Sequence, residues 1–269
     1  MSKASLLLID VQNDFHAGGS LAVPGADADS LRIAEMIEAN LDKIEDIYVT
    51  LDSHHREHIA HAKSWNTKAD GSGSFPTPFT LISHADVVEG RWFPTNRANQ
   101  KYAEDYTRAL EEKGRFKLTI WPDHCIIGTH GNNVVDRLQV ALNAWSAAHG
   151  GKAVKVVRKG ENDITEMYSA IEAEVPVAAD PRTQTNTQFV NDLKRSTRLI
   201  IGGQALSHCV NYTTRDLLRY WGPRNPSELT LLIDGCSPVP GCDADAELFI
   251  NDMRAANVQL KLTTDAFSG

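Results

Sequence analysis

The chain has 269 residues, with 27 Lys+Arg against 35 Asp+Glu and a net charge of -8. Hydrophobic residues make up 42% and charged residues 23%, which excludes a disordered or fibrous chain and provides a core that needs no staples. The acidic balance, with no Lys/Arg run, argues against nucleic acid or an anionic membrane as partner.

At roughly 150 residues per domain, the length leaves one large or two small domains open. No apolar stretch approaches the ~20 residues that cross a bilayer. The opening run Leu6-Leu7-Leu8-Ile9 is too short for a secretory segment, and Asp10 interrupts it. It reads as a first buried strand. Cys125, Cys209, Cys236 and Cys242 are sparse and irregularly spaced, so free thiols in a reducing cytoplasm are expected.

Short runs rich in Val, Ile and Leu predict strands at Ser5–Ile9, Asp46–Leu51, Ala153–Arg158, Thr197–Ile201, Leu229–Ile233 and Gln259–Thr263. They do not alternate with polar residues, as befits strands covered on both faces. Amphipathic stretches at about 28–44, 132–148, 187–195, 208–221 and 243–256 predict the helices between them. This alternation implies an α/β fold: three layers, a doubly wound, mostly parallel six-stranded sheet with helices on both faces. Ligands bind such sheets at the carboxyl ends of the strands.

The region from about 62 to 117 breaks the rhythm. It opens on a Gly/Ser/Pro cluster and reads as an insertion beside the active-site edge, with Asn99–Lys113 helical. Its Trp65, Phe75, Phe79, Trp92 and Phe93 are expected to pack on the domain or on a sister subunit.

Chemistry-bearing residues recur where strands end. Asp10 closes the first strand, where it either caps a turn or faces a ligand. Asp52 and His54 follow the second strand and, two apart on an extended segment, point the same way. A carboxylate and a neutral imidazole there suit a divalent metal. His58 and His61 follow on a turn, where solvent exposure is the simpler expectation. His124, behind the rigid Trp121-Pro122, is a third ligand or a structural histidine. Lys159 closes another strand, where it either orients a neighbouring carboxylate or thiolate or lies on the surface. Gly202-Gly203-Gln204-Ala205 leads into Cys209 at a helix N-terminus, where the macrodipole and free N–H groups favour a thiolate and can hold an oxyanion. His208 is adjacent, but neighbours on a helix do not face each other. An acid, a cation and a thiol at one sheet edge suggest a cysteine hydrolase. No G-x-S-x-G, G-x-G-x-x-G or Walker loop is present.

Asp10-Val-Gln-Asn-Asp-Phe15, Asp52-x-His54, Trp121-Pro-Asp-His124-Cys, Lys159-Gly with Tyr168-Ser-Ala, and Gly-x-Ala205-x-x-x-Cys209-Val resemble the isochorismatase-like cysteine hydrolases, in the nicotinamidase/pyrazinamidase branch. The resemblance runs in order over nearly the whole chain. It departs at Leu206-Ser207, where Thr-Asp is common, and at Ile171, where an aromatic residue is usual. It implies a catalytic trio of Asp10, Lys159 and Cys209, in which Cys209 attacks a carboxamide carbon and Asp10 relays the proton. It implies an oxyanion hole from the N–H groups of Ala205 and Cys209, with a cis Gln204–Ala205 peptide. It implies a divalent metal, zinc first with iron and manganese as alternatives, on Asp52, His54 and His124, with His58 ranked below them. Phe15, Trp121 and Tyr168 would bind the substrate ring. The implied reaction converts nicotinamide to nicotinate and ammonia; other small amides (maleamate-, carbamoyl- or biuret-like) and a non-catalytic scaffold are the alternatives. Asp10 and Cys209 must share one site, so a single domain with a small-molecule amide substrate, in a homo-oligomer, is expected.

Overall fold

The computed structural model describes residues 3–268. Strand β1 (Ala4–Ile9) is buried along its whole length. Successive side chains leave a strand on opposite sides, so Leu6 and Leu8 enter one core and Leu7 and Ile9 the other. The first core also takes Ile33, Ala34 and Ile37 from α1 (Ala26–Ala39), and Leu138, Leu142 and Trp145 from α4 (Asp136–Ala148). The second takes Phe189 and Val190 from α5 (Thr187–Leu193), Leu217 from α6 (Cys209–Tyr220), and Phe249 and Met253 from α7 (Asp243–Ala255). Helices therefore cover both faces of the sheet, as expected.

The sheet has six strands in the order β10-β9-β8-β1-β2-β7. Besides β1 these are β2 (Ile44–Asp52), β7 (Lys155–Lys159), β8 (Leu199–Gly203), β9 (Leu229–Leu232) and β10 (Gln259–Lys261). Every neighbouring pair is parallel. From β1 the chain winds outward through β2 to β7, then crosses back to β8 on the other side of β1. That reversal opens a crevice at the carboxyl ends of β1 and β8. Asp52 and Lys159 close their strands at this edge, and Asp10 and Cys209 follow theirs.

Element ends differ from the sequence pattern where side chains intervene. The first helix stops at Ala39, and β2 already begins at Ile44. The last strand stops at Lys261, because the Asp234 carboxylate takes both the N–H and the hydroxyl of Thr263, at 2.8 and 3.0 Å.

The 62–117 region carries its own structure. Strand β3 (Trp65–Asn66) pairs antiparallel with β5 (Phe93–Pro94), and β4 (Leu81–Ile82) with β6 (Leu118–Thr119). A Ser83–Asp86 capping box starts α2 (His84–Val88). Helix α3 (Gln100–Lys113) ends at Gly114, whose φ of 68° suits glycine. Trp65 is fully buried, and its indole N–H donates to the Ile59 carbonyl at 2.7 Å. Phe75 and Phe79 remain 54% and 53% exposed, so these two do not pack on the domain of their own chain.

Gly203, the last residue of β8, has a φ of 121°, and a Cβ there would lie 2.0 Å from the Ile9 carbonyl oxygen. Backbone is in the way, so no rotamer change relieves the clash. Gly203→Ala should destabilise the fold by about 3 kcal/mol or more. Its urea midpoint should fall accordingly, and a midpoint equal to the parent's would refute this account of the strand end.

Candidate active site

Lys159 reaches the crevice from the end of β7 with a side chain that is wholly buried. Its ammonium donates to Asp52 Oδ1 at 2.9 Å, to the Met167 carbonyl at 3.0 Å and to Cys209 Sγ at 3.5 Å. It also lies 3.0 Å from Asp10 Oδ2. With its three hydrogens directed elsewhere, it meets Asp10 as a charge and leaves Oδ2 without an aligned donor. Asp10 Oδ1 accepts from the Thr50 hydroxyl at 2.6 Å. Asp10 itself turns the chain off β1 with a φ of 48°.

Burial pushes the Asp10 carboxyl up, against the pull of Lys159. It pushes the Cys209 thiol well up too, again against Lys159 and with help from the Asp10 and Asp52 charges. The helix N-terminus was expected to favour a thiolate here. Burial beside two carboxylates opposes that effect and favours the thiol.

The peptide between Gln204 and Ala205 is cis, as expected. Among the described residues, the N–H groups of Ala205 and Cys209 find no acceptor within the protein. Both are free to bind an oxyanion. Gln204 is fixed by donating to the buried Asp29 at 3.0 Å, and Asp29 is paired with Arg32 at 2.7 Å.

On the other side of Lys159, Asp52 Oδ2 lies 3.0 Å from His54 Nε2 and 3.3 Å from His124 Nε2. The second nitrogen of each ring meets a carbonyl: His54 Nδ1 with Gly160 at 3.0 Å, and His124 Nδ1 with Pro122 at 2.8 Å. A carbonyl only accepts, so the ring hydrogens sit on Nδ1. The Nε2 lone pairs then converge on a carboxylate oxygen, an arrangement that needs positive charge in its middle. All three ligand atoms lie within 4.8 Å of one another. Carbonyl-oriented imidazoles around a carboxylate fit a divalent metal. Burial opposes charge on His54, but Asp52 outweighs it and raises the imidazole. Asp52 is held well below the usual carboxylate range by His54 and Lys159 despite its burial.

His58 and His61, expected in solvent, are both completely buried. His58 is committed to backbone: Nε2 donates to Thr165 O at 3.1 Å, and Nδ1 accepts from Ala60 N–H at 3.2 Å. It has no lone pair left for a metal. His61 has neither ring nitrogen hydrogen-bonded, and its ring centre lies 5.3 Å from that of His54 and 5.5 Å from that of His124.

The backbone of Asp52 is clamped. Gln12 accepts from Asp52 N–H and donates to its carbonyl, both at 2.7 Å, while Asn132 donates to the same carbonyl at 2.8 Å. Asp14 accepts from Cys125 N–H at 2.6 Å, next to His124. A Cβ on Gly131 would lie 2.0 Å from the Asp14 carboxylate, so that close approach needs glycine.

Phe15, Trp121 and Tyr168 line one small cavity with Asp52, His124, Ala205, Cys209, Glu166 and His208. Trp121 donates its indole N–H to the Tyr168 hydroxyl at 3.0 Å. The cavity encloses only about 20 Å³, so a ring enters only when wall side chains move. A larger cleft of about 380 Å³ lies between residues 57–65 and 94–103, but no acid–thiol pair faces it. Sequence reading missed Glu166, 3% exposed, whose carboxyl is pushed up by burial against the pull of His54. It also missed the part of Gln12, which lay inside a quoted motif.

No protein-family model matches the chain. It is 26% identical to the nicotinamidase of Escherichia coli over 267 residues, covering 98% of this chain and 97% of that protein. It is 25% identical to the nicotinamidase of Saccharomyces cerevisiae over 210 residues, or 78% of each chain. Among solved structures, an Acinetobacter nicotinamidase/pyrazinamidase superposes with a TM-score of 0.65 at 23% identity, over 98% of both chains. A Pyrococcus horikoshii pyrazinamidase in complex with zinc superposes with a TM-score of 0.59 at 20% identity, over 97% of this chain and 99% of that one. With the sheet order and the relatives in agreement, the chain is an isochorismatase-like α/β protein. Over nearly its whole length its sequence is similar to curated nicotinamidases, and its fold is that of solved nicotinamidase/pyrazinamidase structures.

His208, in the cavity wall, supplies a pH test. Burial lowers its imidazole to about 4 from an ordinary 6.5, against a weak pull from Asp245. The unfolded chain therefore takes up this proton at a higher pH than the folded one. Stability from this residue is complete above 6.5 and lost as pH falls to about 4. His208 keeps part of its surface in solvent, so about 3 kcal/mol is an upper value for the loss. Between pH 7 and pH 4.5 the urea midpoint of the parent should drop further than that of His208→Gln. Equal drops would remove His208 from the acid response.

Proposed function

We propose that the chain is a metal-dependent nicotinamidase that hydrolyses nicotinamide to nicotinate and ammonia through a thioester on Cys209. One observation carries the reading. A single buried ammonium, Lys159, joins an acid–thiol pair to a carboxylate–imidazole set suited to a metal, and Cys209, Asp52 and His124 from these groups line one aromatic-walled cavity. Curated relatives that bear the name nicotinamidase support the same substrate class.

The chemistry follows from the residues. Cys209 Sγ bonds to the carboxamide carbon as its proton passes to Asp10 Oδ2, the oxygen without an aligned donor. The carbonyl oxygen becomes an oxyanion on the free N–H groups of Ala205 and Cys209. Collapse breaks the carbon–nitrogen bond, and the nitrogen leaves as ammonia with the proton from Asp10. A water then gives a proton to Asp10 while its hydroxyl attacks the thioester carbon, and the returning proton restores the thiol. Lys159 keeps the two carboxylates and the sulfur in register through both halves. Asp52, His54 and His124 would hold the metal, most simply zinc, which when bound supplies a Lewis acid for the pyridine nitrogen. Phe15, Trp121 and Tyr168 give that ring its aromatic walls. Four free thiols fit a reducing cytoplasm.

Cys209→Ala should lose ammonia release from nicotinamide by at least a thousandfold while keeping the parent's circular dichroism; retained turnover would overturn the thioester route. His54→Ala should bind less zinc per chain and show a raised KM for pyridine carboxamides. Unchanged zinc content would exclude this ligand set. Ammonia from small linear amides but not from nicotinamide would move the chain to the related amidohydrolases.

A further inference from the structure

A buried site must balance its charges, because an uncompensated ion in a dry interior costs several kcal/mol. Lys159 and a divalent ion would bring three positive charges into this cavity. Asp10 and Asp52 return two negative ones, and His54 and His124 serve as neutral ligands. One positive charge remains. Asp14 does not line this cavity; its carboxylate turns to the N–H groups of Ser20 and Cys125, at 3.1 and 2.6 Å. Nor does Glu174, which faces Arg115 at 3.5 Å and Lys113 at 4.0 Å.

Glu166 stands in the right place. It lines the same cavity as Asp52, His124 and Cys209 and is 3% exposed. Its Oε1 accepts from the Met167 N–H at 2.9 Å. No arginine or lysine pairs with it among the described residues. A buried acid in a cavity wall without a basic partner stays neutral unless a cation joins it there, so a cation bound in this cavity would draw out its charge.

We propose that Glu166 is the charge-balancing residue of the metal centre, supplying the second carboxylate that makes a dication stable beside Lys159. It acts without joining the ligand set: its free oxygen faces the cavity, where it accepts from water or substrate N–H groups held at the metal. The proposal rests on the metal-centred reading above but not on the identity of the amide.

Zinc affinity, measured by competition with a chromogenic chelator on the full-length chain without substrate, tests it. Glu166→Gln keeps an acceptor for the Met167 N–H and removes the charge; Glu166→Ala removes both; Glu166→Asp keeps the charge on a shorter arm. Both neutral variants should bind zinc about 10–100-fold more weakly than the parent, the usual scale for groups beyond the ligands themselves, and Glu166→Asp should lose less than either. Affinity within twofold of the parent in a folded neutral variant overturns the proposal. So does a Glu166→Asp weaker than Glu166→Gln, or a parent with no zinc affinity. If the parent binds zinc but ignores nicotinamide, and Glu166→Gln still binds weakly, the substrate assignment fails and this inference stands. If the parent turns over nicotinamide and all four proteins bind zinc alike, the inference alone fails.

Discussion

The site depends on one buried ammonium. Lys159 is closed off from solvent and touches Asp10, Asp52, Cys209 and the Met167 carbonyl at once. Without it, two carboxylates would face each other in a dry cavity, and one would have to take a proton. A lysine suits this task better than an arginine. Its charge is compact and its three hydrogens rotate to three unlike acceptors, whereas a guanidinium fork would demand a planar pair. The consequence is a division of labour within Asp52. Oδ1 answers to Lys159 while Oδ2 answers to two imidazoles. The acid–thiol half and the metal-suited half are therefore mechanically one unit.

The fold serves this unit by delivering four strand ends to one edge. Parallel strands do so naturally, because every strand of a doubly wound sheet releases its loop on the same side. Delivery alone would leave the side chains loose. The Gln12 amide makes a reciprocal pair with the Asp52 backbone, and Asn132 adds to it, which ties the β1 loop to the β2 end. Asp14 ties the same loop to the segment bearing His124. Ligand positions are thus set by amide and carboxylate contacts to backbone, a sturdier arrangement than side chains reaching from free loops.

The sheet and its helices were legible because their signals are local. Undiluted Val/Ile/Leu runs mark strands covered on both faces, and the predicted set matches the six strands within a few residues. Asp10, Asp52 with His54, Lys159 and Cys209 were legible as residue types at or past strand ends, while His124 took its ligand role from the resemblance; the structure brings them all together. What escaped was non-local. The burial of His58 and His61 is set by chain that returns from residues 121–126 and 163–165, which no window around them reveals. Glu166 sits in a stretch without regular secondary structure, so no period singled it out. The thiol of Cys209 was misjudged for the same reason. A helix end is visible in sequence, but the two buried carboxylates that oppose it come from strands far away in the chain.

That last point bears on how a buried cysteine can be a nucleophile at all. A standing thiolate would be open to alkylation and oxidation whenever solvent reached it. Here burial holds the proton on sulfur and also raises the Asp10 carboxyl beside it. Raising the Asp10 carboxyl makes its carboxylate a stronger base toward the thiol it faces. In the proposed thioester route, transfer is cheapest while a carbon–sulfur bond forms and an oxyanion develops on the free N–H groups of Ala205 and Cys209. The reactive form exists only in the presence of an acceptor for its electrons. The narrow cavity enforces the same order, because a ring that parts its walls also displaces the water that would otherwise stabilise a premature charge.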